Sequence, residues 1–415
     1  YYLSSKTEKG RCYVTGAEVP LATLHPARLR HGGDKAKLIS ANDENGLTFR
    51  GRMTSGQEAC GVGFEFSQKA HSALRWLIAR QGRIFGDCAY VVWGWQDEVH
   101  ESPFNPFNDT DQAFEDLFGD AETGITQLNR AEKLADKRRI TLAALYAKDL
   151  MRCMAGYGNR LSACHSNIHI VAIDSATTGR MSLVLDRTIE STRLIENLQA
   201  WHRDAAWLQD FGLIGSGKER KSRRFIGAPA PVDIVKAVYG QDPNKKLLSA
   251  AINRILPVII DGAVFPEDLC RTCVTRVFRR SGCENWEWEK ALGIACSLYR
   301  FTNKQRNYQM ELEKERASRD YLWGRLLALA EVTERYSLDK QSAEKRSTNA
   351  ERLFVRFVEQ PCTTWLNIEL ALRPYLDRLA AGDEKAQGIR KRYDRISDEL
   401  MSVFKTTGLD FNSNA

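Results

Sequence analysis

After Pro231 the apolar residues change their period, and that change constrains the fold more than any motif does. Leu247, Leu248, Ala251, Ile252, Ile255, Leu256 and Ile259 recur at helical spacing, with Pro257 as a kink or a stop. A second long helix is predicted over 286–304, and Leu322, Leu326, Leu327 and Ala330 share a face beyond it. Near the end Ile389, Tyr393, Ile396, Leu400 and Val403 step by four and three, the seam of a helix packed on other helices. Before Pro231 the pattern is mixed. Residues 168–174 and 181–186 read as strands of one hairpin, and 11–15 and 90–95 are strand-like. Ser67 reads as an N-cap, with Ala70, Ala73, Leu74, Leu77 and Ile78 on one helical face behind it. Another helix is predicted over 127–154. The fold expected is an α+β N-terminal half of mixed short strands and helices, 1–230, followed by an all-α helical bundle, 231–415.

The seam itself, residues 211–225, carries five cations in seven positions: Lys218, Arg220, Lys221, Arg223 and Arg224. Gly212, Gly217 and Lys218 fit the glycine and lysine positions of a phosphate-binding loop. Two things argue against nucleotide hydrolysis. Glu219 stands where a Ser or Thr would ligate magnesium, and the flanks read as helix before and a basic, proline-bearing stretch after, not as strand then helix. What remains is a basic loop, either solvated or meeting a nucleic-acid backbone.

Bulk properties agree with a polyanion partner. The chain has 415 residues, enough for two or three domains, and a net charge of +7. Its ten cysteines follow no regular framework, which points to reduced thiols and a cytoplasmic setting. No run of about 18 apolar residues suggests a membrane span. Catalytic chemistry is poorly provided for. Cys270 and Cys273 have zinc-ligand spacing, with Cys283 and Cys296 to complete a set, but they sit in a helical, apolar context that favours buried thiols. His165 and His169 lack a carboxylate partner and read as structural. Asp109 and Asp111 lack the glycine of a calcium loop. Neither a catalytic residue nor a cofactor or metal is called for, so the expectation is a protein that is not an enzyme.

The cationic clusters are the consistent signal. Arg28, Arg30, Lys35 and Lys37 precede an irregular run, 40–63, that holds Asn42, Arg50, Arg52 and Gln57. Lys137, Arg138 and Arg139 follow, and then the run at 218–224. Lys304, Arg306, Arg316 and Arg319 recur near Tyr308 and Tyr321. Each cluster alone reads as a solvated face, and together, on a basic chain without catalytic residues, they suit backbone binding to nucleic acid.

An ordered series of residues adds a family resemblance. It runs through Cys12-Tyr-Val-Thr-Gly16 with Pro20 and His25-Pro26, Leu38-Ile-Ser40 with Asn42, Gln57, and the helix 68–78. It continues through Thr178 and Arg180, Pro231-Val-Asp-Ile-Val235 with Gly240, Ile259-Ile-Asp-Gly262, Pro266, Tyr321-Leu-Trp-Gly-Arg325 and Pro361. Taken in order over essentially the whole chain, these resemble the large subunit of the type I-C CRISPR Cascade, the Csd-type family. That family has a further N-terminal region before the Cys-x-Val-Thr-Gly motif. Ala41, Arg50-Gly51 and 60–64 depart from its usual residues, as in a divergent branch.

The resemblance implies a non-catalytic role in antiviral defence. The implied partners are a CRISPR RNA with its backbone-coating subunits, a small subunit, target double-stranded DNA with its displaced strand, and a recruited helicase-nuclease. The implied tasks are reading the protospacer-adjacent motif, opening the duplex and holding the displaced strand. Guide pairing reads the sequence, so such a subunit needs backbone cations and a few polar base-readers. Lys218, Arg220, Lys221, Arg223, Arg224, Arg50, Arg52 and Arg306 are the expected cations, and Asn42 and Gln57 the expected amides. The alternatives are a nucleotide-binding protein of the phosphate-loop kind and a purely structural helical adaptor.

Overall fold

The computed structural model describes residues 9–40, 53, 56–94, 105–113, 167–177, 179–214, 221–280, 283–310, 312–338, 346–409 and 411. The chain forms two compact units that interleave in sequence. One holds 1–206 and 226–266, the other 207–225 and 267–415.

The first unit opens with a small antiparallel pair, β1 (Lys9–Arg11) and β2 (Glu18–Pro20). The strand expected over 11–15 stops at Arg11, because the chain turns there. The Cys12 amide donates to the Ala17 carbonyl (2.9 Å), and Gly16 closes the turn at φ 70°, where a side chain would be strained. Cys12 Sγ accepts from the Gly63 amide (3.2 Å), tying this turn to the start of a helix. After a short turn of helix, α1 (Gly56–Ala59), that longer helix is α2 (Phe64–Gln81). It begins four residues earlier than expected, with Gly63 at the cap position. Ser67 therefore lies inside the helix, its amide bonded to the Gly63 carbonyl (2.9 Å) and its side chain buried. The face toward the core runs Ser67, His71, Leu74, Ile78, while Ala70 and Ala73 are exposed.

β3 (Arg83–Phe85), β4 (Cys88–Gly94), β5 (Asn167–Thr177) and β6 (Arg180–Glu190) make an antiparallel meander in sequence order. The hairpin expected from 168–174 and 181–186 is present, longer at both ends, with bulges at Ala172/Ile173 and Ser175/Thr177. One face of the sheet packs Ala89, Val91, Ile173 and Met181 with Ile78 of α2 and with Leu29 and Ala36. Three helices complete the unit: α3 (Ser191–Asp204) packs on β5 and β6, α5 (Lys245–Asp261) packs on α3 and β3, and α4 (Pro231–Tyr239) packs on α5. The Tyr90 hydroxyl donates to Asn253 Oδ1 (2.8 Å) on α5. Pro257 lies within α5, and Gly262 ends it in the left-handed conformation (φ 69°). So α4 and α5, which the apolar period assigns to the C-terminal bundle, belong to the first unit, where α5 packs on α3 and β3 and α4 packs on α5. Periodicity reports a buried stripe, not the element it is buried against.

The second unit begins with β7 (Trp207–Ile214) and β8 (Lys221–Gly227), paired as a two-stranded sheet. Then come α6 (Glu267–Val277), α7 (Asn285–Thr302), a single 3-10 turn (Lys304–Arg306), α8 (Arg319–Ser337), α9 (Asn349–Arg352), α10 (Phe354–Glu359), α11 (Pro361–Ala380) and α12 (Glu384–Thr406). β7 lies on α7. A Cβ placed on Gly293 would come within 2.6 Å of the Leu208 carbonyl, so glycine sets that approach. α8, α11 and α12 enclose Trp323, Leu326, Trp365, Leu372, Leu400 and Phe404, and the 4-3-4-3 seam contributes Tyr393 and Leu400 as its buried members. Arg280 and Arg335 both pair with Glu351, whose side chain is 8 % exposed and which also caps α9 with Thr348. The architecture is thus α+β first and mostly helical after.

Candidate nucleic-acid interface

Of the expected contact residues, Asn42, Arg50, Arg52, Lys218 and Arg220 lie outside the described residues, as do 127–154, Lys137, Arg138, Arg139 and His165. Gln57 and Lys221 are placed by backbone, in α1 and at the start of β8. Arg223, Arg224 and Arg306 are placed in full, all in the second unit.

The described part of the basic run, Lys221 to Arg224, opens β8. A strand does precede Gly212, contrary to the helical reading of that stretch, since α3 ends at Asp204 and β7 follows. A strand also follows, so the strand–loop–helix frame of a nucleotide loop is absent here. Gly212 stands at φ 67° against Trp286, and its amide is turned onto Asp210 Oδ1 (3.1 Å). Both arginines are engaged by neighbours on the strand pair. Arg224 pairs with Asp210 through Nε (2.9 Å) and Nη2. The Arg223 guanidinium lies 5.0 Å from the ring centres of both Phe211 and Phe225, which meet edge to face. Lys290 of α7 approaches Phe211 from its own side (4.2 Å). Arg223 and Arg224 thus stabilise the strand pair, and Arg224 must exchange Asp210 for any phosphate it meets.

The second cluster brings together residues that the sequence only spaced. Beyond α7 the chain turns through Lys304–Arg306 and reverses at Asn307, in the left-handed conformation (φ 45°). Arg306 Nη1 donates to the hydroxyls of Tyr299 (3.2 Å) and Tyr308 (3.5 Å). Among the described residues it forms no ion pair with a carboxylate. Arg316 lies over Tyr308 (4.4 Å) and Tyr321 (5.9 Å), is held by Glu313 (2.6 Å), and donates to the carbonyls of Arg306 (2.9 Å) and Asn307 (3.2 Å). The Glu313 amide donates to the Tyr321 hydroxyl (2.8 Å). Lys304 covers Phe301 (4.4 Å). One arginine is therefore a brace, and the other presents an exposed guanidinium on an aromatic base. Burial raises the Tyr299 hydroxyl above its usual range, so it stays protonated and able to donate.

The four cysteines with zinc-ligand spacing are all raised by burial, as apolar surroundings require. Burial pushes Cys273 up to about 12 and Cys296 up to about 11, and Cys270 Sγ lies 3.5 Å from Thr302 Oγ1. Among the described residues no three His, Cys, Asp or Glu gather as a ligand set. Asp109 accepts from the Gln112 amide (2.9 Å) and its own amide donates to Gln112 Oε1 (3.2 Å), a reciprocal cap. His169 stacks on Trp93 (5.3 Å) and bonds Thr188 (3.1 Å). No helix among the described residues is long and apolar enough to cross a membrane. A feature the sequence did not announce is the pair His25 and His71 around Ser67, with His25 Nδ1 2.8 Å from Ser67 Oγ and the rings 6.1 Å apart. Only the helical register of α2, with 67 and 71 four apart, could have signalled it.

Comparison with known families fixes the class. Residues 1–415 match the model of a family described as CRISPR-associated protein (Cas_Csd1), and the chain belongs to that family of CRISPR-associated proteins. The family is that of the type I-C large subunits. No curated protein matches the chain.

Proposed function

We propose that this chain is a non-catalytic nucleic-acid-binding subunit of a type I-C surveillance complex. Its partners in this reading are the CRISPR RNA with its coating subunits, a small subunit and target DNA. It helps read the protospacer-adjacent motif, helps open the duplex, holds the displaced strand and offers a surface to a helicase-nuclease. Family membership supports the setting. The observation that carries the binding role is Arg306, an exposed guanidinium held by hydroxyls and braced by Arg316 over two tyrosines. A cation arranged that way keeps its charge for a phosphate.

The nucleotide-hydrolysis alternative finds no support where Lys221–Gly227 is a strand and not a helix. The adaptor alternative gains one observation, because Arg224 and Arg223 serve the strand pair. Target-DNA binding by the assembled complex, measured across a salt series, separates these readings. Replacing Lys304 and Arg306 with alanine lowers affinity and flattens the log–log salt dependence by about 0.7–0.9 for each phosphate no longer neutralised. Arg224→Ala changes the salt dependence little and lowers the melting temperature instead. An unchanged affinity and slope for the Lys304/Arg306 variant, with assembly intact, leaves the adaptor reading in place.

A further inference from the structure

The second unit holds a cavity of about 700 Å³ beside the Arg306 cluster, lined in large part by Trp207, Phe278, Tyr299, Tyr308, Tyr321 and Phe354. That volume lies within the roughly 300–1,000 Å³ of ligand pockets and far above a packing defect. Tyr299, Tyr308 and Tyr321 are only partly buried, and Leu312 at the edge is 60 % exposed, so the space is reachable from outside. Its walls are aromatic and its polar groups are few: three tyrosine hydroxyls, Gln309 and the Arg300 side chain.

Two of those hydroxyls accept from Arg306 and the third accepts from the Glu313 amide. Each keeps its own hydrogen for donation. Arg306, bonded to hydroxyls of the lining, puts positive charge at that place. The segment that carries these groups is built in advance. Asn307 reverses the chain, Gln309 Nε2 donates to Asn307 (2.9 Å), the Gln309 amide donates to Glu313 (2.8 Å), and Arg316 spans the turn. A site held in this way orders little on binding.

We propose that this cavity receives an unstacked base of a single-stranded nucleic acid, with Arg306 on the adjoining phosphate. The argument is complementarity of both kinds at one place. A flat π-face matches tyrosine, tryptophan and phenylalanine walls, base edges match hydroxyl donors, and a phosphodiester matches an exposed guanidinium. A duplex cannot enter, because its bases are stacked and paired, so the site selects single strands. The inference rests on the nucleic-acid reading above and adds the strand form and the place where a base is held.

The test uses the full-length chain and three fluorescent oligonucleotides of one length: oligo-dT, oligo-U, and an abasic deoxy strand with the same phosphates and no bases. The wild-type chain binds oligo-dT or oligo-U about ten-fold more tightly than the abasic strand, as expected for one stacked base. Which of the two is preferred identifies the strand as DNA or RNA. Tyr308→Ala removes that preference, whereas Tyr308→Phe, which keeps the ring, retains it. Cys296→Phe, which fills the cavity from α7, removes it as well. Quenching of tryptophan emission by oligo-dT, absent in Trp207→Phe, reports occupancy without relying on a variant that disturbs the tyrosines. Equal binding of the based and abasic strands, still weakened by Arg306→Ala, overturns the cavity and leaves the backbone reading standing. Binding of none of the three strands overturns both. A base preference untouched by Tyr308→Ala, or the absence of a Trp207-dependent quench, places the base elsewhere and also overturns the proposal.

Discussion

His202 shows how a single residue couples the first unit to pH. It is 3 % exposed, and its Nδ1 lies 2.8 Å from Thr110 Oγ1, which itself accepts from the Ala228 amide (2.7 Å). Burial holds the ring down to about 4. The unfolded chain takes up this proton near pH 6.5, while the folded chain resists it until about pH 4. The contribution to stability is complete above about pH 6.5, declines as pH falls, and is gone below about pH 4. That amounts to on the order of 3 kcal/mol over the window. Urea titrations at pH 7 and pH 5, followed through the neighbouring buried Trp201, will show the midpoint falling with pH. His202→Gln will lose most of that pH dependence. His25, also held down to about 4 by burial and by His71 and Lys37, adds in the same direction. Residues of this kind were not legible in the sequence. His202 stands out in composition only as the last histidine of the chain, and its partner Thr110 lies 92 positions away.

At the scale of elements, period and punctuation carried well. The hairpin of β5 and β6, α7, the buried face of α8 and the seam of α12 stand where their spacings put them. Two of the misreadings share one cause. Ser67 has the chemistry of a cap, and Arg11, Cys12, Tyr13, Val14 and Thr15 that of a strand, but Gly63 and Gly16 fix where the backbone turns. In the candidate site, the Arg/Tyr composition near 304–321 was visible, whereas the division of labour was not. Arg306 and Arg316 look alike until Glu313 is seen to hold one of them. Gly293 offers a test of element packing. Alanine there meets the Leu208 carbonyl, so Gly293→Ala will cost about 1–3 kcal/mol by forcing β7 off α7. Gly388, exposed on α12 with nothing near its Cβ position, is the control. Gly388→Ala will raise the melting temperature, since the helix gains propensity without a clash.

For the whole molecule, the interleaving of the two units matters most. A fragment that starts at residue 231 carries α7 without β7 and β8, and leaves the Gly293 surface bare. Such a fragment will expose apolar surface, bind a hydrophobic dye and melt over a broad range. A fragment of 267–415 supplemented with a 207–225 peptide will recover a sharper transition. A cooperative, dye-free fragment of 231–415 would count against this view of the second unit.

The same threading sets a timetable. Residues 207–225 emerge from the ribosome some way ahead of α7, whose last residue is 302. At about 5–20 residues per second the strand pair waits several seconds for its helix. In that interval Arg223 over the two phenylalanine rings, and Arg224 on Asp210, are what the nascent strands have to keep themselves paired and their aromatic face covered. Arginines that add little to affinity for a nucleic acid can still decide how much of the newly made chain escapes aggregation.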